Sequence, residues 1–221
     1  MGNYSDEPRD RRGFSAEEHH RIREHLIETA RELLFTYRPE KITITDITEP
    51  VGIGKGSFYR FFDSKADLYL VLLQREIEEF VEHVRSELSD VDEPRRGLER
   101  LFWCYAEFAE ENPLVRRMVI QNDYRKLMRN VSPDRIEQMQ SEEMAELLPI
   151  IEPLRTEGSG MLENTETATL LGLMGGSIGL LALHKDEFDE YDGPEIYEED
   201  YYKRVQNVLI SSLARGLTVN E

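Results

Sequence analysis

Apolar positions recur every three or four residues along nearly the whole chain, and no alternating run of period two persists. That is the pattern of stacked helices, not of a sheet. Ser15-Ala16-Glu17-Glu18 has the form of a capping box. It opens a helix whose stripe would hold Ile22, Leu26, Ala30, Leu33 and Tyr37, and Arg38-Pro39 would close it. Thr43 or Thr45 can cap a short second helix carrying Ile44, Ile47 and Val51. Pro50 would lie inside that helix and tighten or kink its last turn, because proline has no N–H to donate. Gly52-Ile53-Gly54 ends it, and a third helix is expected over about 55–61. Ser64, with Asp67 three residues on, caps a long fourth helix through Leu68, Leu72, Leu73, Ile77, Phe80, Val84 and Leu88.

Five more helices follow by the same signals. One is predicted over about 94–111. The next has Pro113 in its first turn and runs to about 119. Another starts near Ser132 and is expected to be interrupted by Pro149 and Pro153. Gly158-Ser159-Gly160 reads as a loop, 165–184 as a helix, "KDEFDEYDGPE" as an acidic surface loop and 196–216 as the last helix. The fold class is all-α, about nine helices, with no internal repeat. The longest apolar run, 170–183, is only 14 residues and contains Ser177, so it reads as a buried helix and not as a membrane span.

The stretch "GIGKGSFYRFF" (52–62) sets the functional question. A dinucleotide fingerprint needs a strand before its glycines, and here a helical pattern precedes them. A phosphate-binding loop needs Gly-Lys-Ser/Thr, but Lys55 is followed by Gly56. A helix-turn-helix fits better. Gly52 can take a positive φ at the end of the second helix, and Ile53 would plug the core between the two short helices. Gly56 lets the third helix approach a duplex backbone. Phe58 and Phe62 would pack inward, leaving Ser57, Tyr59 and Arg60 to face a groove. Lys65, in the first turn of the fourth helix, opposes the helix dipole unless a phosphate is bound there; the alternative is a solvated surface lysine.

These residues resemble the TetR family of transcriptional regulators. The likeness lies in Thr43-x-x-x-Ile47 and in Gly52-Ile53-x-x-Gly56-Ser57-Phe58-Tyr59-x-x-Phe62-x-Ser64-Lys65-x-x-Leu68, within residues 18–75. Thr48, Val51 and Gly54 depart from the usual Ala, Ala and Ser. The resemblance implies a three-helix DNA-binding head over 15–66, after a disordered tail over 1–14. A ligand-binding and dimerisation body would fill 67–221. It also implies that Thr43 or Thr45, Tyr59 and Lys65 hold phosphates, while Lys55, Gly56, Ser57 and Arg60 meet the major groove. Phosphate contacts position a protein on DNA, and base contacts specify the sequence. Arg60 would then read guanine, or else only bridge a surface carboxylate.

Family members bind small molecules in the body. Trp103, Tyr105, Phe108, Met118, Tyr124, Met128, Met144 and Met174 are the candidate lining of a largely apolar effector site, although single aromatics and methionines at helical spacing also suit an ordinary core. Gly172, Gly175, Gly176 and Gly179 offer a smooth helix face. Such a face fits helix packing, inside the body or across a two-fold axis; the resemblance favours a homodimer interface shared with Val205, Val208, Leu209 and Leu213 of the last helix, in which Gly172, Gly176, Gly179, Val205, Leu209 and Leu213 are the principal candidates. The expected partners are double-stranded DNA with a near-palindromic operator, a small-molecule effector and a second copy of the chain. No membrane, cofactor or metal is expected.

Charge qualifies this picture. Net charge is −18, but residues 1–65 carry only −1 and residues 66–221 carry −17. The acidity thus lies away from the proposed DNA head, in the manner of a protein from a salt-accumulating cell; at about 1 M salt the Debye length is roughly 3 Å. The polar N-terminus "MGNYSDEPRDRR" and the single Cys104 suggest the cytoplasm. No carboxylate pair stands out among 45 acids and the five histidines show no metal spacing, so an enzyme is not expected. A small-molecule sensor with a vestigial DNA head is the alternative.

Overall fold

The structure, a computed structural model, describes residues 14–115, 131–189 and 200–219. All regular structure among them is helical. The chain divides into two compact units, the break falling between Asp63 and Ser64. The proposed tail over 1–14 lies outside the described residues apart from Phe14.

The first unit holds α1 (Ala16–Thr36), α2 (Ile44–Thr48) and α3 (Lys55–Phe58). Ser15 caps α1 by accepting a hydrogen bond from the Glu18 N–H at 3.1 Å. The buried stripe of α1 is Ile22, Leu26, Ile27, Ala30 and Leu34. Leu33 is only half-buried, and Tyr37 is exposed beyond the helix end. The stripe shifts because 3.6 residues per turn carries a 3-4-4 pattern back onto positions 27 and 34. Ile42, Ile47, Phe58 and Phe62 complete the apolar interior. Pro50 is not inside α2; the helix stops at Thr48 and Pro50 is exposed in the following turn, so no helical hydrogen bond is lost to it.

In the second unit, α4 (Lys65–Leu88) starts on Ser64, which accepts from the Asp67 N–H at 3.0 Å. The next helix, α5 (Pro94–Glu111), is the central element. It packs against α4, α7 (Pro133–Thr156) and α12 (Tyr201–Thr218). Leu98, Leu101, Phe102, Ala106 and Ala109 on α5 are fully buried. The described residues of α6 are Pro113–Val115, directly after α5, and the rest of its predicted span, 116–119, lies outside the described residues; α8 (Met161–Asn164) follows α7. Pro149 and Pro153 do not interrupt α7. Both are exposed and stand four apart, so the carbonyls they leave unpaired face water.

The next helix is built in three parts: α9 (Thr167–Met174), a π-helical segment (Gly175–Gly179) and α10 (Leu180–Leu183). Leu170, Met174, Ile178 and Ala182 form its buried row, while Gly172, Gly176 and Leu180 are exposed. The four glycines do not form one face. Gly175 and Gly179 turn inward, and a Cβ on Gly179 would sit 2.9 Å from the Tyr105 hydroxyl; Gly172 and Gly176 open outward with nothing within 4 Å. Gly179 is thus spent on packing inside its own chain, which corrects its place in the expected dimer face. The first residues of the predicted acidic loop are helical, α11 (Lys185–Asp189). Residues 190–199, including the predicted start of the last helix, lie outside the described residues.

One polar cluster ties distant parts of this unit together. Glu110 accepts from Lys185 Nζ at 2.7 Å, from the Tyr202 hydroxyl at 2.9 Å and from Gln206 Nε2. Tyr202 and Gln206 are themselves buried, so α11 and α12 are fastened to the end of α5 through a single carboxylate. Among the described residues no helix is long and apolar enough to cross a membrane.

Candidate nucleic-acid interface

The turn from α2 to α3 is built by local chemistry. Thr43 and Asp46 form a full capping box: the Asp46 N–H donates to Thr43 Oγ1 at 3.2 Å, and the Thr43 N–H donates to Asp46 Oδ2 at 2.7 Å. The Thr43 hydroxyl also donates to that carboxylate at 2.9 Å. Its proton is therefore committed within the head. Thr45 is exposed on the first turn of α2. Gly52 takes φ +77°, which allows the reversal after α2. The Ile53 N–H then donates to the Thr48 carbonyl at 3.2 Å, and Ile53 is half-buried.

The recognition segment separates its two faces as its sequence suggests. Phe58 is 0% exposed and Phe62 3%, while Tyr59 is 54% exposed and Lys55, Gly56 and Arg60 lie on the surface; Ser57 is half-buried. The helix is shorter than the 55–61 expected. After Phe58 the Arg60 and Phe61 N–H groups donate three residues back, to Ser57 and Phe58 carbonyls, in a tighter turn. Phe58 and Phe62 pack beneath it with ring centroids 5.6 Å apart and planes tilted by 34°, so the exposed side chains ride on an aromatic base. A Cβ on Gly56 would meet nothing within 4 Å, so the chain's own packing does not require glycine there. Between positions 50 and 62 the only charged residues are Lys55 and Arg60.

Lys65 opens α4 and belongs to the second unit. Its ammonium lies 5.7 Å from the centroid of the Tyr69 ring one turn on. Phe14 is a participant that the periodicity did not reveal. It immediately precedes the Ser15 cap and packs on Phe61 at 5.6 Å, and the Arg60 guanidinium lies 4.6 Å over its ring. The available signal was an apolar residue just before an N-cap, which commonly folds back on the first turns of the chain.

Among the described residues, Tyr105, Phe108 and Met174 belong to the body's core, Tyr105 and Phe108 both packing on Phe80. Phe108 stacks on Phe80 at 4.6 Å, Tyr105 points to Gly175 and Gly179, and Met174 is in the core. Met144 is half-buried on α7. Trp103, two residues from Tyr105 and so on the other side of α5, lines an open cleft of about 540 Å³ with Glu87, Arg96, Arg100, Cys104 and Glu107. Met118, Tyr124 and Met128 lie outside the described residues. Among the described residues no cluster of His, Cys, Asp and Glu could hold a metal ion.

Burial, with the nearby Glu87 and Glu107 charges, pushes the Cys104 thiol up to about 11. Only about one molecule in 10⁴ would then carry a thiolate at pH 7. Native Cys104 should therefore react with a disulfide reagent far more slowly than the thiol of the unfolded chain. Its rate should still be climbing at pH 10; a plateau by pH 9 would contradict the buried, acid-flanked thiol.

Residues 26–72 match the family model of bacterial regulatory proteins of the tetR family. A transcriptional activator, FasR of Mycolicibacterium smegmatis, is 32% identical over 79 residues, which cover 36% of each chain. The chain spans between about a third and two thirds of the lengths of the first curated relatives it matches. A TetR-family regulator from Pectobacterium atrosepticum superposes over 93% of this chain and 98% of its own, with TM-score 0.61 and 20% identity. The regulator FadR of Bacillus subtilis, solved with stearoyl-CoA, does so over 89% and 98%, with TM-score 0.55 and 15% identity. At those identities the structural likeness concerns the fold, and it extends the likeness beyond the helix-turn-helix to the helical body. Residues 26–72 thus carry a TetR-family helix-turn-helix, and the chain as a whole shares the all-helical fold of TetR-family regulators.

Proposed function

We propose that the protein is a cytoplasmic, homodimeric repressor released from a near-palindromic operator by a small, largely apolar effector. The observation that carries the DNA reading is the division of the recognition segment: Phe58 and Phe62 buried, Lys55, Gly56, Tyr59 and Arg60 exposed. Lys55, Gly56, Ser57 and Arg60 then meet the major groove, while Thr45, Tyr59 and Lys65 meet phosphates. Two heads would occupy half-sites about 34–36 Å apart or a multiple of that distance.

The dimer reading is supported by an exposed apolar surface. Leu173, Leu180 and Val208 are large apolar side chains left in solvent. Gly172 and Gly176 leave open space beside them, and Val205, Leu209 and Leu213 are half-buried on α12. Solvent-exposed apolar clusters of this kind mark interaction surfaces. Leu180→Glu should convert a dimer to a monomer in sedimentation velocity; an unchanged dimer would move the interface elsewhere.

The effector reading is supported by the aromatic and methionine content of the body and by the FadR structure, whose fold is similar and which holds stearoyl-CoA. An effector that prefers the arrangement unable to bind DNA would shift the population away from it. Adaptation to a salt-rich cytoplasm is supported by the placement of −17 of the charge in residues 66–221. The test of the whole is a gel shift at high and low salt against duplexes enriched from a randomised pool. Lys65→Ala should weaken all duplexes about equally and lower the salt slope by about one. A sensor with a vestigial head would enrich no sequence. The activator FasR makes the sign of regulation a separate question, read from transcription in the presence and absence of the protein.

A further inference from the structure

Arg60 stands on an exposed turn, where a long side chain ordinarily samples many rotamers. Here it is held from two sides. Its guanidinium lies 4.6 Å over the Phe14 ring, and its backbone carbonyl accepts from His19 Nε2 at 3.3 Å. Phe14 and His19 both pack on Phe61, at 5.6 Å and 4.4 Å between ring centroids. The Ser15 cap fixes where α1 begins and so fixes the residue just before it. Five residues from the two ends of the head, Phe14, Ser15, His19, Arg60 and Phe61, thus form one assembly.

A guanidinium stacked on an aromatic face keeps its in-plane N–H donors free at the edge. Those edge donors are the ones a bidentate contact with guanine O6 and N7 uses. Holding the plane beforehand also removes rotamer freedom that binding would otherwise have to remove. We propose that Phe14 is a positioning residue for Arg60: it presets the guanidinium plane and so sharpens the sequence discrimination of the head. This rests on the reading of Arg60 as a base-contacting side chain.

The experiment uses the full chain and duplexes enriched by it from a randomised pool. Affinity is measured for the enriched duplex and for variants with each base pair replaced. Phe14→Ala should lose about three- to tenfold affinity for the enriched duplex. The loss should fall at the same base pairs that Arg60→Ala makes indifferent, and it should vanish in the Arg60→Ala background. Phe14→Tyr should restore discrimination, whereas Phe14→Leu, which still covers Phe61 but offers no π face, should not. If Phe14→Leu discriminates as well as the unaltered chain, or if Phe14→Ala weakens all duplexes uniformly, Phe14 only packs and the inference is wrong. If Arg60→Ala itself leaves every base preference intact, the base-reading role of Arg60 fails first and the inference falls with it.

Discussion

Phe58→Ala is expected to abolish DNA binding while most of the helical signal in the far-ultraviolet remains. Phe58 is fully buried beneath the exposed recognition side chains. Truncating such a phenylalanine costs about 3–5 kcal/mol, a transfer term plus the cavity left behind. A unit of some sixty residues has little stability to spare, so the head should lose its structure. The larger second unit has its own buried core, running among the described residues from Phe80 to Leu217, and should keep it. The check is a thermal melt followed by circular dichroism together with a gel shift. Unaltered duplex affinity in Phe58→Ala would mean that the exposed face of the recognition segment does not depend on its aromatic base. Tyr59→Phe, on the exposed side, should leave stability alone and affect only the contacts of its hydroxyl with phosphate.

The second large effect is expected in the body. Glu110→Ala removes the acceptor of Lys185, Tyr202 and Gln206 at once. Two of these donors belong to buried residues, which would be left without that partner. Depriving a buried donor of a strong acceptor costs about 1–3 kcal/mol; the Lys185 pair adds less, because that side chain is 35% exposed, and the Gln206 amide still reaches the Tyr202 hydroxyl at 3.5 Å. These overlap, because one carboxylate serves all three, so a total of about 1–3 kcal/mol is expected. Glu110→Gln keeps the shape and one acceptor and should cost less. Urea denaturation of both variants measures this; a midpoint in Glu110→Ala equal to that of the unaltered chain would show that the cluster adds nothing to stability. Any dimer interface that uses α12 should weaken in parallel, since the start of α12 is fastened through this carboxylate.

Features decided within a few residues were legible in the sequence. The caps at Ser15, Thr43 and Ser64, the proline start of α5 and the positive φ of Gly52 depend on immediate neighbours, and they fall where the pattern puts them. So does the inward turn of Phe58 and Phe62, which follows from helical spacing alone. What failed depended on facing or distance. Pro149 and Pro153 looked like breaks because sequence does not say that both face solvent. The glycines at 172, 175, 176 and 179 read as one surface only if the helical period is uniform, and their segment is π-helical. Glu110 was one acid among 45 until the fold brought residues 185, 202 and 206 to it. Trp103 and Tyr105 seemed neighbours in one site, but a helix turns them to opposite sides of α5.

The π-helical segment has a mechanical consequence. Residues spaced by four creep about 40° per step around an ordinary α-helix, so twelve residues would accumulate a rotation of about 120°. Leu170, Met174, Ile178 and Ala182 nevertheless all stay buried, because a wider turn between them absorbs part of that creep. The segment acts as a phase compensator. It keeps one edge of the rod aimed at the interior and the opposite edge, with Gly172, Gly176 and Leu180, aimed at solvent. Removing a single residue from it would leave both ends helical but swing them out of phase, separating what faces inward from what is offered outward.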